Sequence, residues 1–202
     1  RRVLFLSCED RADVLHWRLS RICAWVGADL ASLAGWLQIV DAVGQDAILW
    51  RADPRARFTV TPAYHLVAGL MREKACDVLM VDGITDTFGG NENDKVHVKA
   101  YVNSLLALVQ EDRGALVLIG HVPKATAGGF STEGYSGSAG WHNACRARWY
   151  LYPESRPGDE GDRAERTGAM LLELQKSNHG TDGTSLRFEW DESAHLFVGQ
   201  VA

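Results

Sequence analysis

The chain holds 5 prolines in 202 residues and no long single-residue run, which excludes collagen-like and low-complexity architectures. No apolar stretch approaches the roughly 18 residues of a membrane-spanning helix, and the first residues lack an apolar segment followed by a small-residue cleavage site. The four cysteines, Cys8, Cys23, Cys76 and Cys145, include no C-x-x-C pair. Reduced, buried thiols in a cytoplasmic protein without a membrane partner are therefore expected, and neither a disulfide scaffold nor a zinc ribbon. Positive charge is also short: 21 Lys and Arg face 26 Asp and Glu, giving a net charge of −5. A whole-surface polycation is excluded, and any nucleic-acid contact must use a local strip.

What is present is 46% hydrophobic and 23% charged residues, the balance of one globular domain with a substantial core. Short apolar runs alternate with longer amphipathic stretches, which predicts an α/β protein with a mostly parallel sheet and helices on both faces. Strands are expected at 3–7, 37–40, 78–81 and 115–119. The helix expected at 12–26 carries Leu15, Leu19, Ile22, Cys23 and Val26 at helical spacing. A second opens at the Thr61-Pro62 cap with Leu66, Val67, Leu70 and Met71 inward. A third follows the polar loop 89–94 with Val98, Val102, Leu105, Leu106 and Val109 on one face. Between 41 and 57 no period emerges. The glycine-rich stretch 124–140 reads as a functional loop. Runs at 149–152, 170–174, 186–190 and 196–198 read as antiparallel strands, with an acidic hairpin loop around 153–166. The tryptophans read mostly as core or interface filler.

In an open α/β sheet, ligands bind beyond the carboxyl ends of the strands. Three expected strands end there in polar residues: Glu9-Asp10, Asp82 and His121. Singly, such a carboxylate also serves as a helix cap, and a strand-end histidine as a carbonyl donor. Together they suit nucleotide hydrolysis, where one carboxylate holds magnesium through water and another orients the attacking water. His142 and Cys145 form H-x-x-C without a second ligand pair, a weak zinc signal. Ser136 and Ser138 lie in a glycine-rich run that does not complete G-x-S-x-G, so a serine hydrolase is a distant alternative.

In order and spacing, Leu4-Phe5-Leu6-Ser7-Cys8-Glu9-Asp10 with His16-Trp17-Arg18-Leu19, Val78-Leu79-Met80-Val81-Asp82, Leu118-Ile119-Gly120-His121, Gly137-Ser138-Ala139-Gly140-Trp141 with Arg146, and Leu174-Gln175-Lys176-Ser177-Asn178 resemble the RecA-like hexameric replicative helicases, and within them the RepA-type plasmid and phage helicases. The resemblance implies a RecA-like P-loop core with C-terminal antiparallel strands, binding ATP and Mg2+. It implies that Glu9 is the general base, Asp82 the magnesium carboxylate and His121 the γ-phosphate sensor. It further implies that Arg146 is an arginine finger reaching a neighbouring subunit's nucleotide, with Lys176 and Asn178 also at that interface, in a homo-oligomeric ring, a hexamer. Asn178 stands where the DnaB-like branch has arginine. Lys95, Lys124, Gly128 and Gly129 match channel loops that grip single-stranded DNA. Read from the residues alone, Arg146 and Lys176 are equally surface strand residues.

One departure is large: no G-x-x-x-x-G-K-[ST] occurs, so the cradle for the β- and γ-phosphates is missing. The expectation is a single ATPase domain over 1–202 that begins after its first strand and P-loop, active as the complete protein and inactive as this fragment. The alternative is a non-hydrolysing RecA-like assembly or regulatory module in a replication or recombination complex.

Overall fold

The structure, a computed structural model, describes residues 1–53, 58–109, 114–121, 139–156 and 165–199. Its described residues form two compact units, one comprising Arg1–His121 with the helix Ala139–Ala144, the other beginning at Cys145.

The first unit is built on four parallel strands, β1 (Val3–Ser7), β2 (Leu37–Asp41), β5 (Val78–Asp82) and β7 (Ala115–Ile119), in the order β2-β1-β5-β7. Their registers pair Ser7 with both Asp41 and Asp82, and Asp82 with Ile119. All four therefore end at one level, and the residues after them share one edge of the sheet. β1 and β5 are central, and Leu4, Leu6, Leu79 and Val81 are buried. Each such side chain contributes about 1.5–3 kcal/mol by leaving water.

Helix α1 (Ala12–Trp25) buries Leu15 and Cys23, whereas Ile22 and Val26, expected inward, stay exposed. Cys23 belongs to the last turn, so Ile22 and Val26 are exposed because they fall outside the stripe that Leu15 and Cys23 bury. Helix α2 (Pro62–Glu73) starts at the Thr61 cap, whose hydroxyl accepts from the Tyr64 N–H at 3.2 Å. Its inward stripe is Val67, Ala68 and Met71, rotated from the expected one, so Leu66 points to solvent.

Three short strands, β3 (Trp50–Ala52), β4 (Phe58–Val60) and β6 (Phe88–Gly89), form a second sheet in the order β4-β3-β6. β3 falls in the 41–57 stretch where no period was legible, and β4 and β6 were not expected, since two or three residues cannot display an alternation. Trp50 stacks on Phe88 with centroids 5.6 Å apart and faces the edge of Tyr101 at 6.4 Å. Tyr101 lies on α4 (Lys95–Leu106), which buries Val98, Tyr101, Val102 and Leu105 at i, i+3, i+4 and i+7. Leu106 falls outside that stripe and is exposed. Asp94 caps α4, accepting from the Val96 N–H at 2.8 Å. The short helix α5 (Ala139–Ala144) brings Trp141 edge-on to Phe88 at 5.4 Å.

The second unit is an antiparallel sheet of β8 (Ala147–Arg156), β9 (Glu165–Ser177), β10 (Ser185–Asp191) and β11 (Leu196–Gly199), ordered β11-β10-β9-β8. β8 and β9 pair as far as Arg156 with Glu165, so 153–156 and 165–166 belong to strands rather than to the expected loop. The parallel core with helices and the separate antiparallel sheet make the fold α/β, consistent with a RecA-like core. No helix among the described residues is long and apolar enough to cross a membrane.

Candidate active site

The edge where β1, β5 and β7 end gathers the charged residues. Beyond Ser7 the chain turns so that the buried Ser7 hydroxyl donates to the Asp10 carbonyl at 2.9 Å and accepts from the Asp10 N–H at 3.2 Å. This closed turn projects Glu9 from the sheet. Backbone pairing continues past the strand ends: the Cys8 N–H donates to the Asp82 carbonyl at 3.0 Å, and the Gly83 N–H to the Ile119 carbonyl at 3.3 Å. The three ends are thereby laced together before any side chain is considered.

His121 Nε2 lies 2.8 Å from Glu9 Oε2, a hydrogen bond in which the imidazole N–H donates to the carboxylate. That bond and the negative charge of Glu9 hold the His121 pKa above the usual histidine value. Asp82 is half-buried, and its pKa is raised by burial first and then by the charges of Glu9 and Asp10, with His121 and Arg18 opposing. Asp10 is ion-paired with Arg18 on α1. Cys8 sits among the same carboxylates; burial, then Asp86, Asp82 and Glu9, push its thiol up to about 11, leaving it a neutral, inert group. The edge is thus a concentration of negative charge, only partly offset by His121 and Arg18.

Gly83 makes the close packing possible. Its φ is +94°, and a Cβ there would lie 2.8 Å from Asp86 Oδ2 and 3.1 Å from Cys8 Cβ. Glycine enters this left-handed region without steric cost. It turns β5 directly into α3 (Ile84–Thr87), whose Asp86 returns towards Cys8. On the far side of β1, Asp41 accepts from the backbone N–H of Ala12 at 2.9 Å and of Val43 at 3.0 Å. These bonds hold its carboxyl below the usual carboxylate range and fix the start of α1.

Of the residues singled out in the sequence, Glu9, Asp82 and His121 meet at this edge. Arg146, Lys176 and Asn178 meet elsewhere, at the base of the β8–β9 hairpin in the second unit. The Asn178 N–H donates to the Arg146 carbonyl at 2.9 Å, and Lys176 Nζ donates to the Cys145 carbonyl at 2.7 Å. Asn178 follows the last residue of β9 rather than lying within it, and Arg146 is exposed. Lys95 is exposed on the first turn of α4. Lys124, Gly128 and Gly129 lie outside the described residues, as do Ser136 and Ser138 of the weak hydrolase motif. Sequence reasoning missed Asp86 and Gly83, although a glycine directly after a strand-end aspartate was a usable signal for a sharp, close-packed turn.

The donor set suits Mg2+. The ion keeps several waters and substrate phosphates and needs only one or two protein carboxylates. Asp82, with its ionised form disfavoured by neighbouring negative charge, would gain from a cation. No three His, Cys, Asp or Glu side chains among the described residues converge as a complete metal cage.

The carboxyl ends of adjacent strands are where open parallel sheets bind ligands, and here three of them carry two carboxylates and a histidine. Residues 1–127, more than half of the chain, match the family model described as an AAA domain, and the chain belongs to that family. The family places it among nucleotide-binding, ATPase-type domains of the broad P-loop class. No curated protein matches the chain.

Proposed function

We propose that this chain is the motor domain of a RepA-like, ring-forming DNA helicase that hydrolyses ATP between subunits to move along single-stranded DNA during replication. The observation that supports the reading is the Glu9–His121 hydrogen bond beside Asp82, two carboxylates and an imidazole at one strand edge, the side chains that a base, a magnesium ligand and a phosphate sensor would require.

In this reading Glu9 takes a proton from the attacking water as it meets the γ-phosphorus. Asp82 would hold Mg2+, through coordinated water. When bound, that ion neutralises charge on the β- and γ-phosphate oxygens. His121, donating to Glu9 in this structure, turns its N–H to the γ-phosphate when nucleotide is present, which frees Glu9 to act as base and makes loss of the phosphate legible to the residues that follow His121. Arg146 supplies transition-state charge to the neighbouring subunit's nucleotide, with Lys176 and Asn178 bracing that interface in a hexameric ring. Lys95, Lys124, Gly128 and Gly129 contact the DNA backbone. No G-x-x-x-x-G-K-[ST] phosphate cradle occurs in these 202 residues, so the reading requires ATP binding by the natural full-length protein, which the test below measures.

The test uses the natural full-length protein. Glu9→Gln is expected to abolish turnover while ATP binding, read with a fluorescent nucleotide, is kept. Arg146→Ala is expected to be inactive alone and to regain part of the activity when mixed with Glu9→Gln subunits, since interfaces at which the first gives Glu9 and the second gives Arg146 are intact. ATPase activity should need magnesium and rise with single-stranded DNA. Mixed rings without rescue would overturn the shared site, and turnover indifferent to DNA would overturn the helicase role. The second reading, a non-hydrolysing assembly or regulatory module, draws on the missing G-x-x-x-x-G-K-[ST]; a full-length protein that binds no ATP would favour it.

A further inference from the structure

One buried polar contact lies below the carboxylate edge. The hydroxyls of Thr87 and Tyr101 are 2.7 Å apart, and both residues are 0% exposed. Thr87 Oγ1 is also 3.2 Å from the Ile84 carbonyl oxygen, an acceptor only, so the Thr87 hydroxyl donates there and accepts the Tyr101 O–H. A tyrosine hydroxyl without a partner at this depth would be costly, and Thr87 is what satisfies it.

Thr87 ends α3, and α3 touches all three strand ends. It leaves β5 directly after Asp82. Its Asp86 carboxylate packs against Gly83 in the space beside Cys8, the residue before Glu9. Its Ile84 lies so close under Gly120 that a Cβ there would come within 3.1 Å, and Gly120 is the residue before His121. The backbone carbonyl of Thr87 in turn accepts from the Leu49 N–H at 2.9 Å, anchoring the same point to the small sheet. A four-residue helix has too few internal hydrogen bonds to hold its own position. Its placement therefore depends on its two ends: Gly83 at one, and at the other Thr87, held by the Tyr101 hydroxyl through its side chain and by the Leu49 N–H through its carbonyl.

We propose that Tyr101 is a positioning residue: by holding Thr87, its buried hydroxyl fixes α3 and so sets where Asp82 and His121 stand relative to Glu9. The inference rests on the hydrolytic reading of that edge. Neither residue touches the reacting groups. Both act through α3.

The experiment compares four variants of the natural full-length protein. Tyr101→Phe and Thr87→Val each delete one partner of the bond, and Thr87→Ser keeps the hydroxyl. Tyr64→Phe is the control, because the Tyr64 hydroxyl donates to the Ser104 carbonyl on the same helix α4 at 2.9 Å without reaching α3. Amide hydrogen exchange is read at Cys8 and Gly83, whose N–H groups lace the strand ends together, and ATP turnover is read as kcat and KM separately. Tyr101→Phe and Thr87→Val should each speed exchange at those two amides and lower kcat about tenfold, with KM held within about twofold, the pattern of misplaced groups rather than lost binding. The double variant should add little to either single one. Thr87→Ser and Tyr64→Phe should match the wild type in both readouts. The proposal is overturned if Tyr101→Phe behaves like Tyr64→Phe, or if exchange accelerates evenly through the whole sheet. If the wild-type protein hydrolyses no ATP, the functional reading fails, and the exchange comparison alone still decides whether Tyr101 positions the strand ends.

Discussion

His121 and Glu9, 112 positions apart in sequence, share a hydrogen bond of 2.8 Å because β1 and β7 flank β5 in parallel and end at its level. The bond raises the His121 pKa, so the folded protein holds that proton more tightly than the unfolded chain does. The resulting stabilisation is fully present below the ordinary histidine value of about 6.5 and is lost as pH rises through the raised one. With the His121 side chain 79% exposed, it amounts to less than about 1 kcal/mol. NMR titration should give a His121 midpoint above the ordinary value in the wild type and a return towards it in Glu9→Gln. In the hydrolytic reading the same variant lowers kcat by at least about hundredfold. An unchanged midpoint would mean that the two side chains do not pair in solution.

Asp82 shifts in the same direction, but there it is the ionised form that folding disfavours. Burial and its acidic neighbours raise its pKa, so its ionised form opposes folding, and stability falls as pH rises from the ordinary carboxylate range through the raised value. Asp82→Asn removes that cost. Without nucleotide at neutral pH, it should leave stability unchanged or raised by up to about 0.5 kcal/mol in urea unfolding. With magnesium and ATP the ranking reverses: the full-length wild type should gain thermal stability and the variant should not, with kcat at least about hundredfold lower. A variant that is destabilised without ligand and still activated by magnesium would remove Asp82 from the metal's role.

Gly83 admits a sharper test. An alanine at φ +94° is strained in its backbone, and its Cβ would press on Asp86 Oδ2 at 2.8 Å and Cys8 Cβ at 3.1 Å. Gly83→Ala should cost more than about 1 kcal/mol in urea unfolding and should impair activity as well, because the displaced groups stand beside Glu9 and Asp82. Gly69→Ala is the control: it sits in α2 with no neighbour within 4 Å of the added Cβ, and should raise stability by about 0.5–1 kcal/mol through helix propensity.

The main sheet and the three residues at its edge were legible because each strand is a short apolar run closed by a polar residue. In the central strands β1 and β5, burial on both faces imposes that pattern without reference to the rest of the chain. Where tertiary context decides, the pattern failed. Leu66 and Leu106 fit a helical period but miss the stripe that meets the core, and the 50–52 strand is too short to carry a period. Asp86 was invisible for another reason: it reaches the edge only because Gly83 reverses the chain, and spacing does not encode that reversal. Arg146 and Asn178 are neighbours through the β8–β9 pairing, a relation between residues 32 positions apart that no local signal contains.

The tryptophans separate burial from composition. Trp50 is 2% exposed within a cluster of Phe58, Phe88, His97 and Tyr101, whereas Trp17, Trp25, Trp36, Trp149 and Trp190 are between 43% and 56% exposed, so within the chain the expectation of core or interface filler holds as core for Trp50 and not for these five. Five half-open indoles give folding little of the burial energy that one enclosed indole gives. Trp50→Ala should therefore cost about 3–5 kcal/mol, since it opens a cavity between the small sheet and α4, and Trp17→Ala less than about 1 kcal/mol. Chemical unfolding of the two variants, followed by far-UV circular dichroism, measures the difference. Equal losses would mean that the outer face of α1 is as enclosed in solution as the Trp50 cluster.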